Sequence, residues 1–438
     1  MRNFGRLGVL LSLVLVTPLV TTGAAAARDG CAAGRLRVPG AQHLEAICLP
    51  DLTTAGTVPG GHTDPTDWAG LEAPGTVTPT GVPGIQLDGY FSDTSATNPT
   101  HGWRHDSQFV IRLPERWNGG LVVTAPPSTR EQYANDRVIG DYVLSQGFAY
   151  AATDKGNTGP LIFQDGRRPG DAVLEWHYRF TQLTKAAKRV AAQRYGRAPS
   201  HTYAAGLSIA GYLVRWQLEH HPELYSGGVD WNGVLLTEQA PNLLTTVPPA
   251  LRAYPRYLKG EVGAHEAMLA AGYPAGSEPL WQWHYQNQWD VLQRILREEL
   301  DPDYDGATQA GTPFCPEGTG AGCDTDYDYA TRPRAVHRTV ERVSLTGRIG
   351  RPLVTLHGTL DVVIPISRGS DMYAGMVTRS GRGSLHRYYR VEGGTHTDGL
   401  VALQPTLVRP MLPCFHAAFD AVVRWTRHGT PPPQGGRC

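Results

Sequence analysis

The sequence predicts an α/β protein: a doubly wound, mostly parallel sheet interrupted by an inserted lid. Three observations carry that expectation. From residue 107 onward, short apolar runs alternate with runs of helical period, the order of parallel strands joined by crossover helices. A serine, Ser208, sits at the seam of one such strand and helix in "YAAGLSIAGYLVRWQ". Ser208 and Asp361 are also separated by far more chain than the roughly 30 residues that a crossover unit needs.

Composition bounds the reading. The 438 residues are 41% hydrophobic and 18% charged with a formal net charge of +0, enough for one large core or two ordinary ones. That balance lacks the basic footprint of a nucleic-acid binder. Residues 1–27 read as a signal peptide: Arg2 and Arg6 precede the apolar "LGVLLSLVLVTPLV", and small residues follow at 24–27. No other run approaches the ~20 apolar residues of a membrane span. The chain is therefore expected to be secreted and extracellular, with no membrane and no nucleic-acid partner. Its 6 cysteines suit that compartment, and proximity pairs Cys31 with Cys48, Cys315 with Cys323, and Cys414 with Cys438.

The elements follow in order. Residues 28–105, rich in Gly, Pro and Thr, read as an irregular extension with short strands at most. The first part of the core is expected over 106–236. "SQFVIRLP" and "GGLVVTAPP" read as strands, "DRVIGDYVLSQG" as a helix closed by Gly147, and "FAYAATD" as a strand. "TQLTKAAKRVAAQRYG" places Leu183, Ala186, Ala187, Val190 and Ala191 on one helical face, with Gly196 as its cap. "SHTYAAG" leads into Ser208, and "SGGVDWNGVLL" holds the next strand. The second part, 346–438, carries "RPLVTLHGTLDVVIP" and "RYYRVEGGTHTDGL".

Gly206-Leu207-Ser208-Ile209-Ala210 is close to G-x-S-x-G. A serine on a sharp strand-to-helix turn needs small neighbours, and its hydroxyl then projects above the sheet. The Ile209 amide points into the same space at a helix N-terminus, where an oxyanion is stabilised. A nucleophilic serine needs a base and an orienting acid. The order Ser208, Asp361, His396 is that of the α/β-hydrolases, with Asp361 beyond an apolar strand and His396 on a loop opened by Gly393 and Gly394. Asp230 is the rival acid. His357 is expected to bond backbone near its strand end, His416 to be structural, and Asp398 to solvate the His396 loop. Pro126 and Pro127 have no amide hydrogen, so Ser128 or Thr129 is the second oxyanion donor.

At these residues the chain resembles the tannase and feruloyl esterase branch of the α/β-hydrolases. The resemblance runs from "QGFAYAATDKGN" through "AAGLSIAGYLVRWQLEHHPELYSGGV" and returns in "LHGTLDVVIP … EGGTH", under half the chain. It implies a secreted serine carboxylesterase with a lid, with Ser208 as nucleophile, Asp361 as acid and His396 as base. That branch usually links a cysteine beside the serine to one beside the histidine. Here Leu207 and Thr397 hold those positions, so that tie is missing.

Residues 237–345 are expected to form the lid. "EPLWQWHYQNQWDVLQRILREEL" sets Trp281, Tyr285 and Trp289 on one stripe, with Trp283 facing away. Either Trp281 or Trp283 is expected to line the acyl pocket, the other reading being plain lid core. "DPDYDG" places Asp301, Asp303 and Asp305 at alternating positions that suit a structural calcium ion. Thr312 rather than Glu at position twelve departs from an EF-hand, and a solvated acidic loop is the alternative. The expected function is hydrolysis of small-molecule or oligomeric esters, of feruloyl, tannin or hydroxyalkanoate type, with no cofactor required. The rivals are a peptidase or amidase with the same triad and an inactive binding protein on the hydrolase fold.

Overall fold

The computed structural model describes residues 33–239, 241–304 and 324–435. In chain order its elements are β1 (Ala41–Leu49), α1 (Thr54–Thr57), β2 (Gly84–Phe91), β3 (Gln108–Pro114), β4 (Gly120–Thr124), α2 (Asp141–Ser145), β5 (Ala149–Thr153), α3 (Asp171–Tyr195), β6 (His201–Leu207), α4 (Ile209–His220) and β7 (Gly227–Trp231). Five helices follow: α5 (Leu243–Leu258), α6 (Ala264–Ala270), α7 (Glu278–Asn287), α8 (Trp289–Leu300) and α9 (Arg334–Arg342). β8 (Leu353–Gly358), α10 (Ser370–Arg379), β9 (His386–Val391) and α11 (Leu412–His428) close the chain.

One sheet of 9 strands runs β1-β2-β3-β5-β4-β6-β7-β8-β9. The pairs from β5–β4 through β8–β9 are parallel, while β1–β2, β2–β3 and β3–β5 are antiparallel. The parallel strands read as continuous apolar runs because both faces are covered. Leu121 and Val123 of β4 pack in the layer of α3, α4 and α10, whereas Val122 packs in the layer of α2 and α11. The same two-residue alternation divides Ala204 from Tyr203 and Ala205 in β6. This is the α/β-hydrolase fold, with α5 to α9 inserted as a helical lid between β7 and β8.

Two boundaries differ from expectation. α3 begins at Asp171, a decad before its most regular stretch, and ends as foreseen at Gly196 with φ 71°. The extension over 28–105 supplies β1 and β2 to the main sheet. β2 hid because Gln86 and Asp88 alternate with Ile85 and Leu87 yet all four are buried. Gln86 Nε2 donates to Asp88 (2.9 Å), Arg112 Nε donates to Gln86 Oε1 (2.9 Å), and Arg112 pairs with Asp136 at 2.6 Å. A buried polar network thus gives the strand the pattern of a half-exposed one.

The expected three disulfides are corrected on one point: no disulfide between two described cysteines is seen. Cys48 and Cys414 are the two that fall within the described residues, and neither is a free thiol. Cys31, Cys315, Cys323 and Cys438 lie outside them, as do residues 1–27, which the sequence reads as a signal peptide. Sequence proximity was the sole ground for those pairings. Among the described residues, no helix is long and apolar enough to cross a membrane.

Candidate active site

Ser208 joins β6 to α4 with φ 61° and ψ −118°, a left-handed backbone that a non-glycine residue adopts only under constraint. The constraint is visible. Ser208 N donates to Trp231 O (2.9 Å), and Val234 N donates to Ser208 O (3.2 Å). The neighbours must be small. A Cβ on Gly206 would meet the Ala210 carbonyl at 2.5 Å, and one on Gly211 would meet Asp230 Oδ1 at 2.5 Å. The Ile209 N–H opens α4 and is one of the donors that a helix N-terminus leaves unpaired.

Asp361 follows β8 and is fully buried. Its Oδ1 accepts from Val363 N (2.8 Å) and Ile364 N (2.9 Å). Its Oδ2 lies 2.8 Å from His396 Nδ1 and 3.4 Å from His357 Nε2. Burial opposes its ionisation, but the charge and hydrogen bonds of His396 and His357 outweigh it and hold the carboxyl well below the usual carboxylate range. Asp230, the rival, is committed elsewhere: its Oδ2 accepts from Arg215 Nε (2.6 Å) and Thr355 Oγ1 (3.0 Å). His357 Nε2 meets Ile364 O at 2.9 Å, the backbone contact expected of it.

His396 sits on the loop after β9. Gly393 turns that loop with φ 70°, and Gly358 and Gly394 cross so closely that a Cβ on Gly358 would lie 2.3 Å from Gly394 O. With Leu207 and Thr397 in place of cysteines, other contacts secure the loop. Asn232 Nδ2 donates to the Thr395 and His396 carbonyls (2.9 and 3.0 Å), while its Oδ1 accepts from Gly358 N at 2.9 Å. Thr397 Oγ1 donates to Gly70 O (2.9 Å). Asp398, expected as a solvating residue, is instead buried and accepts the Met411 and Leu412 amides at 2.7 and 2.9 Å.

Ser208, Ile209, Ser128 and His396 line one cavity of about 160 Å³. Ser128 has φ 53° and is exposed. Thr129 is off the cavity wall, its carbonyl taken by Gly159 N at 2.7 Å. The rest of the wall is largely aliphatic, including Val234, Leu243, Val291, Leu292, Ile295 and Val363.

The expectation for the tryptophans needs correction. Trp281 is 0% exposed in the lid core, its Nε1 donating to Ser277 Oγ at 2.8 Å, and Trp283 is 38% exposed. Neither lines the cavity. The stripe of Trp281, Tyr285 and Trp289 is consumed by packing on α5 and α6, and α8 turns its aliphatic face to the site instead. Sequence reasoning also missed Leu71, Arg130 and Gln288 on the wall. Leu71 comes from the supposedly irregular extension, and no motif marks any of the three.

The acidic run shows no ion site among the described residues: no group of three or more His, Cys, Asp or Glu is placed to hold a metal. Asp301 accepts from Arg332 Nε (2.5 Å) and Tyr327 Oη (3.1 Å), which satisfies its charge internally. Asp303 is described, and Asp305 lies outside the described residues.

The α/β-hydrolase sheet is shared with solved structures of other proteins. In overall structure the chain is similar to feruloyl esterase B from Aspergillus oryzae, with a TM-score of 0.53 at 14% identity over 91% of this chain and 90% of that one. It is also similar to the tannin acyl hydrolase of Aspergillus niger, with a TM-score of 0.51 at 13% identity over 91% and 87%. The superpositions show a shared fold, and at these identities the likeness extends to the fold alone. In sequence, a stretch of 104 residues is 30% identical to the D-(-)-3-hydroxybutyrate oligomer hydrolase of Ralstonia pickettii, covering 23% of this chain and 14% of that protein. A stretch of 108 residues is 32% identical to the enzyme of the same name from Cupriavidus metallidurans, covering 24% and 15%. The match thus spans about a seventh of these relatives' length. No family model matches.

Proposed function

We propose that the protein is an exported serine carboxylesterase. The observation that carries this reading is the 2.8 Å contact of His396 Nδ1 with Asp361, on a histidine that shares a cavity with Ser208 in its left-handed turn. Asp361 holds His396 in the tautomer with a proton on Nδ1, which leaves Nε2 free to take the Ser208 proton. Ser208 Oγ attacks the ester carbonyl. The developing oxyanion is met by the Ile209 N–H and by the amide of Ser128. His396 then protonates the leaving alcohol, and water releases the acid from the acyl-enzyme by the same route in reverse. These steps need no cofactor.

The aliphatic wall supports a short aliphatic acyl group over a feruloyl or galloyl ring, since among the described residues no Phe, Tyr or Trp lines the cavity. The similarity to hydroxybutyrate oligomer hydrolases points the same way. The test is hydrolysis of p-nitrophenyl butyrate beside a feruloyl ester and a peptide anilide. Turnover of butyrate that is lost in Ser208→Ala is expected. Cleavage of the anilide alone would replace this reading with a peptidase.

A further inference from the structure

Among the described residues, Arg130 and His396 are the two ionisable side chains on the cavity wall. Arg130 is half-buried, and its guanidinium is held by neutral groups: Nη1 donates to Asp67 O and Nη2 to Ala69 O, the latter at 2.8 Å. Arg112, Arg137, Arg179 and Arg215 each hold a carboxylate. Arg130 has no such partner among the described residues. The nearby Asp67 turns its Oδ1 to the Glu131 amide (2.9 Å), and burial pushes its carboxyl up to about 7. A guanidinium offers five N–H donors, so Arg130 retains donors for a further acceptor. Burial disfavours its charge, the neighbouring Asp67 offsets only part of that penalty, and an arriving anion relieves more of it.

The position of Arg130 selects one half of the substrate. An ester's alcohol departs on the side of the base that protonates it. The backbone carbonyls that fix Arg130 belong to the loop over residues 67–71, and that loop also binds the His396 segment. Thr397 Oγ1 donates to Gly70 O (2.9 Å) and Asp398 N donates to Leu71 O (3.2 Å). The 67–71 loop thus ties Arg130 to the His396 segment.

We propose that Arg130 forms a carboxylate subsite, so that the preferred substrates are esters whose alcohol half carries a free carboxylate, the O-acyl derivatives of short hydroxy acids. The planar guanidinium matches a carboxylate through paired, charge-assisted hydrogen bonds. This rests on the esterase reading above. Water adds across the acyl C–O bond to give a carboxylic acid and a hydroxy acid, while the carboxylate on Arg130 is unchanged.

The probes are 3-(butanoyloxy)propanoic acid and its primary amide, which differ in charge and hardly in size. Binding to the Ser208→Ala protein should be about tenfold tighter or more for the acid. The preference should shrink as salt is raised. In the active protein the acid-to-amide ratio of kcat/KM should show the same bias and fall toward one in Arg130→Gln, with Arg130→Lys intermediate. Equal binding of acid and amide to the Ser208→Ala protein would overturn the subsite, with no dependence on how an Arg130 variant folds. An Arg130→Gln protein that loses both probes in proportion would do so as well, reducing Arg130 to a clamp on the 67–71 loop. Failure of the esterase reading is distinct: p-nitrophenyl butyrate would not be hydrolysed, while the binding comparison would still decide the subsite.

Discussion

Asp361→Asn replaces one oxygen by a nitrogen, and the structure fixes which oxygen changes character. The Val363 and Ile364 amides both donate to Oδ1. The new side chain must keep its carbonyl there, which turns its NH₂ toward His396 Nδ1, now 2.8 Å from Oδ2. An N–H facing an N–H is repulsive, so His396 moves its proton to Nε2. In that tautomer it cannot accept the Ser208 proton. The expected loss in kcat is on the order of 10⁴-fold, the size seen when a triad histidine is locked in the wrong tautomer. KM for p-nitrophenyl butyrate should change little, because Asp361 is off the cavity wall. Stability supplies an independent readout. The folded carboxyl titrates below its unfolded value of ~3.9, so it contributes stability above that value which is lost as pH falls toward the folded pKa. The variant should lack that contribution. Asp230→Asn is the control. It breaks a buried pair with Arg215 and should cost about 3–5 kcal/mol of stability without setting a histidine tautomer. A folded Asp361→Asn protein with near-normal kcat, or an Asp230→Asn protein that stays stable but loses kcat, would refute the assignment.

Other outcomes follow from the same geometry. Ser208→Ala should abolish turnover, on the order of 10⁶-fold, with an unchanged melt, and an organophosphonate should label Ser208 by peptide mapping. Gly206→Ala sets a Cβ at 2.5 Å from the Ala210 carbonyl, and a calorimetric loss of about 1–3 kcal/mol is expected. Leu292→Ala enlarges the cavity, so kcat/KM should shift toward longer acyl chains, whereas Trp283→Ala should leave chain-length preference unaltered. Burial, against hydrogen bonds from Val173 and Ala172, raises Glu299 to about 8. The folded state then holds a proton that the unfolded state releases near ~4.3, so stability falls as pH rises through that window. Glu299→Gln should remove the slope in a pH series of denaturant titrations.

The sequence by itself determined the alternation of strands and helices, the strand-to-helix turn at Ser208, and the chain order of Ser208, Asp361 and His396. Each is local: apolar period, small residues around a turn, and the residue types that follow a strand. Only the tertiary structure separates Asp361 from Asp230: Asp361 follows β8 and meets His396, whereas Asp230 lies inside β7 and meets Arg215. β2 was concealed because Gln86, Asp88 and Arg112 satisfy one another inside the protein, and a buried polar network carries the pattern of a solvent face. The tryptophans of α7 announced themselves by size, yet Trp281 serves the lid core and Trp283 is partly exposed, while Leu71, Arg130 and the aliphatic face of α8 reach the cavity without any motif. Local pattern records what a residue can do to its neighbours in the chain. Which wall it joins depends on contacts between segments far apart in sequence, such as the 67–71 loop bound to the His396 loop, and those exist only once the chain has folded.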